Sequence, residues 1–323
     1  MKKFFRLAML SLPFLMVTAC QDDDLIDYNP SPNGNKAITL SGEIDQVAVT
    51  RVNDNGFADG DVMGVYIVDY NGNTPGTLQS SGNRGNNVRH TFDEANYKWT
   101  SAYDVYWKDK TTHIDVYGYY PFGSPTDVNN YEFEVAKDQG QEATNEAMGG
   151  YEASDFLWGK AENIAPTDNV IRIPLRHRMS SAKITLVEGE GFTNGEWAGL
   201  EKNVLVKNTK RESIIDMATG EVKATGEVAS TSIIPYKKDD YYRAIVVPQT
   251  ISANVELFSI TVNGISYTFK KSESFAYVSG KMHNFSIKVD KKEATGDYTF
   301  SLIGESITAW ENADVSHDAT MKE

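Results

Sequence analysis

Apolar and polar residues alternate in short runs along most of this chain, and such runs make strands rather than helices. The exception comes first. Leu7 to Val17 is apolar apart from Ser11 and Pro13, and it follows Lys2, Lys3 and Arg6. This reads as the basic start and h-region of an export signal, too short to span a bilayer as a helix. Residues 21–36 (QDDDLIDYNPSPNGNK) are polar and aperiodic, with Pro and Gly, and read as a tether. Ala37 to Ile44 alternates as a strand does, and Val47 to Arg51 follows before a turn-rich Asn53-Asp54-Asn55-Gly56.

Val62 to Val68 is a nearly continuous apolar run between Gly60-Asp61 and Asn71-Gly72, which fits a buried strand. Tyr97-Lys98-Trp99 and Tyr106-Trp107 bracket a short loop. His113 to Tyr120 alternates and ends at Pro121. Residues 123–153 are irregular, with one short helix expected near Glu142–Met148. Phe156-Leu157-Trp158 is a brief strand, and Ile171, Ile173 and Leu175 share a face. A second series starts at Lys183–Val187, after which Gly189–Leu200 is a loop. Asn203–Val206, Ser213–Asp216, Tyr242–Val247 and His283–Val289 are further strands, and Met217–Val222 is a hairpin turn. Val255–Val262 and Ile265–Phe269 flank Asn263-Gly264, a type I′ hairpin signal. Thr299–Leu302 and Ser306–Trp310 are the last alternating stretches. Short strands at intervals of roughly ten residues predict an all-β chain of sandwiches. The lack of long amphipathic helices argues against a parallel sheet with crossovers.

Composition sharpens this. The chain has 323 residues, enough for two domains, and 11% aromatics, enough to build cores. The leader holds three basic residues and no acid, so the chain from Cys20 onward carries 28 basic against 45 acidic groups, a formal charge of −17. Such a surface repels nucleic acid and anionic lipid. Cys20 is the single cysteine, so no internal disulfide forms. It follows Val17-Thr18-Ala19, which resembles the lipobox read by signal peptidase II. That resemblance implies cleavage before Cys20, diacylglycerol on its sulfur and acylation of its amine, which together give stable anchoring in the outer membrane. Gln21-Asp22-Asp23-Asp24 resembles the signal that carries such lipoproteins to the cell surface.

Candidate chemistry adds little. His90, His113, His177, His283 and His317 form no metal-ligand pattern, and His177 beside two arginines reads as structural. Asp59-Gly60-Asp61 fits a turn as well as a calcium site, and Asp239-Asp240 lacks an EF-hand loop. No Gly-x-Ser-x-Gly or phosphate loop occurs, and no cofactor or metal is expected. Tyr117, Tyr119 and Tyr120 suit the two faces of a buried strand better than a sugar platform.

Six blocks in order resemble the fimbrillin-like family of Bacteroides-type bacteria. Phe57-x-x-Gly60-Asp61-x-x-Gly64-Val65-Tyr66 is the first. Trp107 with Ile114-Asp115-Val116-Tyr117-Gly118-Tyr119-Tyr120-Pro121 is the second, departing at Val116 and Gly118 from W…I-D-F-Y-A-Y-Y-P. Ser154-Asp155-Phe156-Leu157-Trp158-Gly159 is the third. Ile173-x-Leu175-x-His177-x-Met179-Ser180 through Lys183-Ile184 is the fourth, with Ser181 and Ala182 inserted. Ile245 to Gln249 and Ile307-x-x-Trp310 complete the set. The succession covers about residues 37–312.

The resemblance implies a pilus subunit of two transthyretin-like β-sandwich domains in tandem. Its parts are a signal peptide at 1–19, a tether at 20–36, and sandwiches at 37–175 and 176–323. For polymerising members it also implies cutting after an arginine, for which Arg51, before Val52, is the candidate; the alternative is that Arg51 only ends a strand and stays intact, as in an anchor subunit. Loss of the first strand opens a groove that a strand from another pilin subunit fills. A donor strand falls in the C-terminal arm, in Thr299–Leu302 or Ser306–Trp310; the alternative is that both stretches belong to the second sandwich. Expected partners are other pilin subunits, the outer membrane through Cys20, and a host or bacterial surface ligand, with no nucleic acid. The alternative is an uncleaved surface glycan-binding lipoprotein of a carbohydrate-uptake system. A secreted hydrolase ranks last.

Overall fold

Nearly every segment with alternating apolar positions is a strand in the structure, a computed structural model that describes residues 36–44, 56–144, 147–228 and 232–310. In chain order the elements are β1 (Leu40–Ile44), β2 (Val62–Asp69), β3 (Gly85–Asp93), β4 (Lys98–Ser101), β5 (Ile114–Tyr120), β6 (Tyr131–Glu134), α1 (Gly150–Ala153), β7 (Leu157–Ile164), β8 (Ile171–His177) and β9 (Ser180–Glu188). Then come α2 (Glu196–Gly199), β10 (Lys202–Val206), β11 (Glu212–Asp216), β12 (Glu221–Ala224), β13 (Tyr236–Lys238), β14 (Tyr241–Val246), β15 (Gln249–Ile251), β16 (Glu256–Val262), β17 (Ile265–Lys270), β18 (Phe275–Tyr277), β19 (Lys281–Lys291) and β20 (Tyr298–Ala309). The described chain is all-β, with two four-residue helices.

The largest sheet has seven strands in the order β1-β8-β7-β5-β2-β3-β4. Its neighbours are antiparallel except β1, which runs parallel to β8 with Leu40 opposite Ile171 and Ile44 opposite Leu175. A five-stranded sheet, β13-β14-β9-β19-β20, holds a second parallel pair, β9 with β19. Smaller sheets are β10-β16-β17, β12-β11-β6 and β15-β18. The β16–β17 hairpin turns on Asn263 (φ 47°) and Gly264 (φ 82°), two positive φ values as a type I′ turn needs.

Two buried clusters hold these sheets. One lies wholly within residues 38–175 and includes Met63, Val65, Trp99, Val116, Ile173 and Leu175. The other joins Tyr66, Tyr117, Tyr119 and Trp158 to Ile184, Ile245, Phe258 and Phe285, so it draws on both ends of the chain. The seven-stranded sheet is therefore covered on both faces. This explains β5, where alternation predicts one wet face but all seven residues are buried. Val116 and Tyr120 join one cluster while Tyr117 and Tyr119 join the other.

Three local expectations change. The helix sits at Gly150–Ala153, after the Glu142–Met148 stretch, and residues 141–144 are extended or irregular. β6 lies in a stretch read as irregular; it pairs with β11, which hydrogen-bonds it far from its chain neighbours. The two C-terminal alternating stretches form one twelve-residue strand, β20, with a register shift opposite Ser286–Ile287. Cys20, Arg51, Val52 and His317 lie outside the described residues.

Candidate functional site

The first strand is a clamp between two edges. Before β1, the Trp107 amide donates to the Lys36 carbonyl (3.1 Å) and the Ile38 amide to the Val105 carbonyl (2.7 Å), with an antiparallel bridge between Ala37 and Tyr106. The chain then crosses to the opposite side, where the Ile171 amide donates to the Thr39 carbonyl (2.9 Å) and the ladder with β8 begins. Ile38, Leu40 and Gly42 point inward and are buried, as period-two alternation requires. Gly42 passes very close to the core. A Cβ there would meet Met63 Sδ at 2.7 Å and Leu175 Cδ1 at 3.2 Å, and Trp99 Nε1 donates to its carbonyl at 3.0 Å. Outside, Glu43 faces Arg172 and Lys36 pairs with Asp168. Burial of Ile38 and Leu40 contributes roughly 1.5–3 kcal/mol each. The chain re-enters the core at Phe57, edge-on to Trp99 (4.8 Å) and Tyr120 (5.5 Å).

The last strand is held differently. β20 pairs only with β19, at the margin of the five-stranded sheet. Leu302, Ile303 and Ile307 are 40%, 53% and 56% exposed. Its side-chain contacts include Tyr298 stacked on Phe192 (6.1 Å), Phe300 on Tyr267 (4.9 Å), Glu305 paired with Lys271 (2.6 Å) and the Asn284 amide donating to the Thr308 hydroxyl (3.4 Å). Its firm end is Trp310, which is buried and stacks flat on His177 at 4.2 Å and 9°. His177 in turn binds Asp155 through Nδ1 at 2.8 Å, and the Trp310 amide donates to Gly280. Three sequence blocks thus meet at one point. His177 is a packed structural residue there.

The other candidates are tied into turns and core. The Asp61 carboxylate accepts from the Ala58 amide (2.6 Å) and the Tyr120 hydroxyl (3.1 Å), and burial raises its pKa. Asp59 accepts from the Glu94 amide. Asp240 bonds Lys202 (2.6 Å) and Trp197 Nε1 (2.9 Å). Asp115 is 1% exposed and takes Tyr70, the Asn163 amide and Lys160. Tyr117, Tyr119 and Tyr120 are buried. Burial lowers the pKa of His90, whose Nδ1 lies 3.0 Å from the Val88 carbonyl, and of His283, whose Nε2 accepts from the Val278 amide. Among the described residues no group of three or more His, Cys, Asp or Glu could hold a metal ion.

An all-β chain closed by a clamped first strand and flanked by a loosely covered last one is the class of protein these features define. The family model described as fimbrillin-like matches residues 50–310, and the chain belongs to that family. Among solved structures, a candidate cell adhesion protein from Bacteroides uniformis is 18% identical with a TM-score of 0.60, the match covering 87% of this chain and 99% of that one. A second candidate cell adhesion protein, from Bacteroides ovatus, is 16% identical with a TM-score of 0.60, covering 86% and 98%. A fimbrial protein from Bacteroides vulgatus is 11% identical with a TM-score of 0.50, covering 86% and 100%. At these identities the likeness is one of fold. No curated protein matches by sequence.

Proposed function

We propose that the protein is a structural and adhesive subunit of a cell-surface fimbria, exported as a lipoprotein and assembled by strand exchange after proteolysis. The observation that carries this reading is the clamp. Residues 36–44 lie upstream of Arg51, bridge two edges of the first sheet and shield Met63, Trp99 and Leu175. A cut between Arg51 and Val52 leaves no covalent tie between that strand and the rest. Its departure unpairs the β8 edge and the 105–107 segment and opens an apolar groove, the template for strand addition. β20, marginal and half uncovered, is the donor this reading selects. Cys20 carries the lipid that delivers the chain to the outer membrane surface, and the cut releases it.

The architecture that goes with this role is two tandem transthyretin-like sandwiches, 37–175 and 176–323. The seven-stranded sheet ends at His177 and the five-stranded sheet begins at Ser180, which supports that division. Other pilin subunits are the direct partners, with a host or bacterial surface ligand at the exposed end.

The test is brief trypsin treatment of residues 21–323, followed by N-terminal sequencing and native electrophoresis. The expected result is a product starting at Val52 and a ladder of oligomers. An intact monomer retarded by polysaccharide in the gel points instead to glycan binding. In cells, Cys20→Ala is expected to leave the membrane fraction, and unchanged recovery there refutes lipidation.

A further inference from the structure

The five-stranded sheet buries one face and shows the other. Ile184, Leu186, Tyr242, Ala244, Phe285 and Ile287 point into the shared core. The residues between them, among them Lys183, Thr185, Arg243, Asn284 and Ser286, are half-buried on the opposite face, as period-two alternation requires. Ladder pairs set this face in rows. One row runs Tyr236, Arg243, Lys183, Asn284, Ser306 from β13 to β20, and the next runs Lys238, Tyr241, Thr185, Ser286, Gly304. Five strands about 4.8 Å apart make this field about 19 Å wide.

Folding alone does not call for what the first row carries. Arg243 and Lys183 stand directly opposite each other, and like charges so placed destabilise a sheet. The ladder positions beside and diagonal to the pair hold no acid, in a chain whose charge from Cys20 onward is −17. Aromatic rings fix both cations. The Lys183 ammonium lies 4.7 Å from the centre of the Tyr241 ring. The Arg243 guanidinium lies 4.9 Å from Tyr151 and 5.7 Å from both Tyr236 and Tyr241. Side chains ordered in this way cost less entropy when a ligand arrives. Toward β20 the field is neutral and polar, made of Thr185, Asn284, Ser286 and Ser306. Asp290, farther along β19, pairs with Lys288 (3.2 Å) and accepts from the Glu190 amide (2.8 Å).

We propose that this face binds an anionic polysaccharide. Arg243 and Lys183 hold a carboxylate or sulfate group, and Thr185, Asn284 and Ser286 meet the hydroxyls of the neighbouring sugars. The guanidinium fork suits a planar or tetrahedral oxyanion, and the ammonium adds a second charge to it. Salt confines the repulsion of the chain's many acids to about 8 Å at physiological ionic strength, so the local sign decides. A glycan spaces its charges with neutral, hydroxyl-bearing rings, which matches a cation pair beside a neutral polar field. A phosphate array needs a broader cationic surface. The inference gives a chemical class to the surface ligand of the proposed function. It rests on the adhesive part of that reading and not on the cut at Arg51.

The test is native gel electrophoresis of uncut residues 21–323 through dextran sulfate, polygalacturonate, neutral dextran or duplex DNA. Retardation is expected with one or both anionic polysaccharides and with neither dextran nor DNA. The double variant Lys183→Gln, Arg243→Gln is expected to bind at least tenfold more weakly. Its urea midpoint should not fall, because a like-charge pair has been removed. Asn284→Asp, which sets an acid beside Lys183, should weaken binding as well, so the proposal does not hang on one variant. The double variant Lys223→Gln, Lys270→Gln removes the same charge from exposed positions of other sheets and should bind like the wild type. No retardation by either anionic polysaccharide, equal retardation by DNA, or equal loss in both double variants overturns the proposal. Such a failure leaves the fimbrial reading standing, since the ladders after trypsin test it separately. Binding that follows Lys183 and Arg243, with no ladder after trypsin, upholds this face and sinks polymerisation.

Discussion

Gly159 and Gly118 face each other across β7 and β5, and Gly118 stands where the family block carries alanine. They are not equivalent. A Cβ on Gly159 would lie 2.2 Å from the Pro174 carbonyl oxygen and 2.6 Å from its carbon, which are backbone atoms. A Cβ on Gly118 would meet Ile173 Cγ2 at 3.0 Å, a side chain that can shift. Gly159→Ala should therefore cost about 1–3 kcal/mol in urea unfolding and Gly118→Ala distinctly less. Buried histidines give a second prediction. His90 and His283 fold with pKa values below the ordinary 6.5 because burial disfavours the charged ring. The unfolded chain takes up protons first as pH falls, so their contribution is full above about pH 6.5 and is lost toward the lowered folded values. Asp61 acts in the opposite sense, since its raised pKa favours the folded state below 3.8 and loses that contribution as pH rises through the raised folded value. The melting temperature should drop between pH 7 and 5, and His283→Phe should flatten part of the drop. At this scale the sequence marks Asp155, His177 and Trp310 as separate blocks. Their meeting was not legible, because it depends on three segments far apart along the chain.

At the scale of elements, what is decided locally was readable. Asn263-Gly264 between two alternating runs specifies its hairpin without help from the rest of the chain. β3 was not readable, because Asn86 and Arg89 are exposed, Asn87 and Thr91 are half-buried, and the buried side is carried by Gly85, Val88, His90 and Phe92, of which two are apolar side chains. β15 and β18 are three residues each, too short to show a period. β1 was legible as a strand but not as a clamp, since its partners lie more than sixty residues downstream. Its weight can be measured. Leu40→Ala removes a leucine buried in the cluster that holds Met63 and Leu175 and should destabilise the uncut chain by about 2–5 kcal/mol. After the cut and loss of residues 36–44 the same substitution should have no effect on stability. A persistent difference in the cut protein would show that the strand had stayed in place.

Across the whole molecule, the second core ties the early and late parts of the chain together. Tyr66, Tyr117, Tyr119 and Trp158 pack with residues from β9 onward, and β6 completes the sheet of β11 and β12. Unfolding of residues 21–323 should then be one calorimetric transition with matching calorimetric and van't Hoff enthalpies. Two separate peaks would mean that the shared core adds little. Sequence alone supplied the all-β class. It did not supply the shared core, because an apolar residue on either face of a strand looks the same in a linear pattern.

The Trp310 stack gives the last strand an order of opening. β20 is mostly exposed along its length, with Tyr298 stacked on Phe192 and Phe300 on Tyr267, while the residue after it, Trp310, is held by a flat aromatic contact on His177. It behaves as a click-stop at the end of a hinged bar. A strand that opens from Tyr298 breaks its ladder with β19 first and unstacks that ring last.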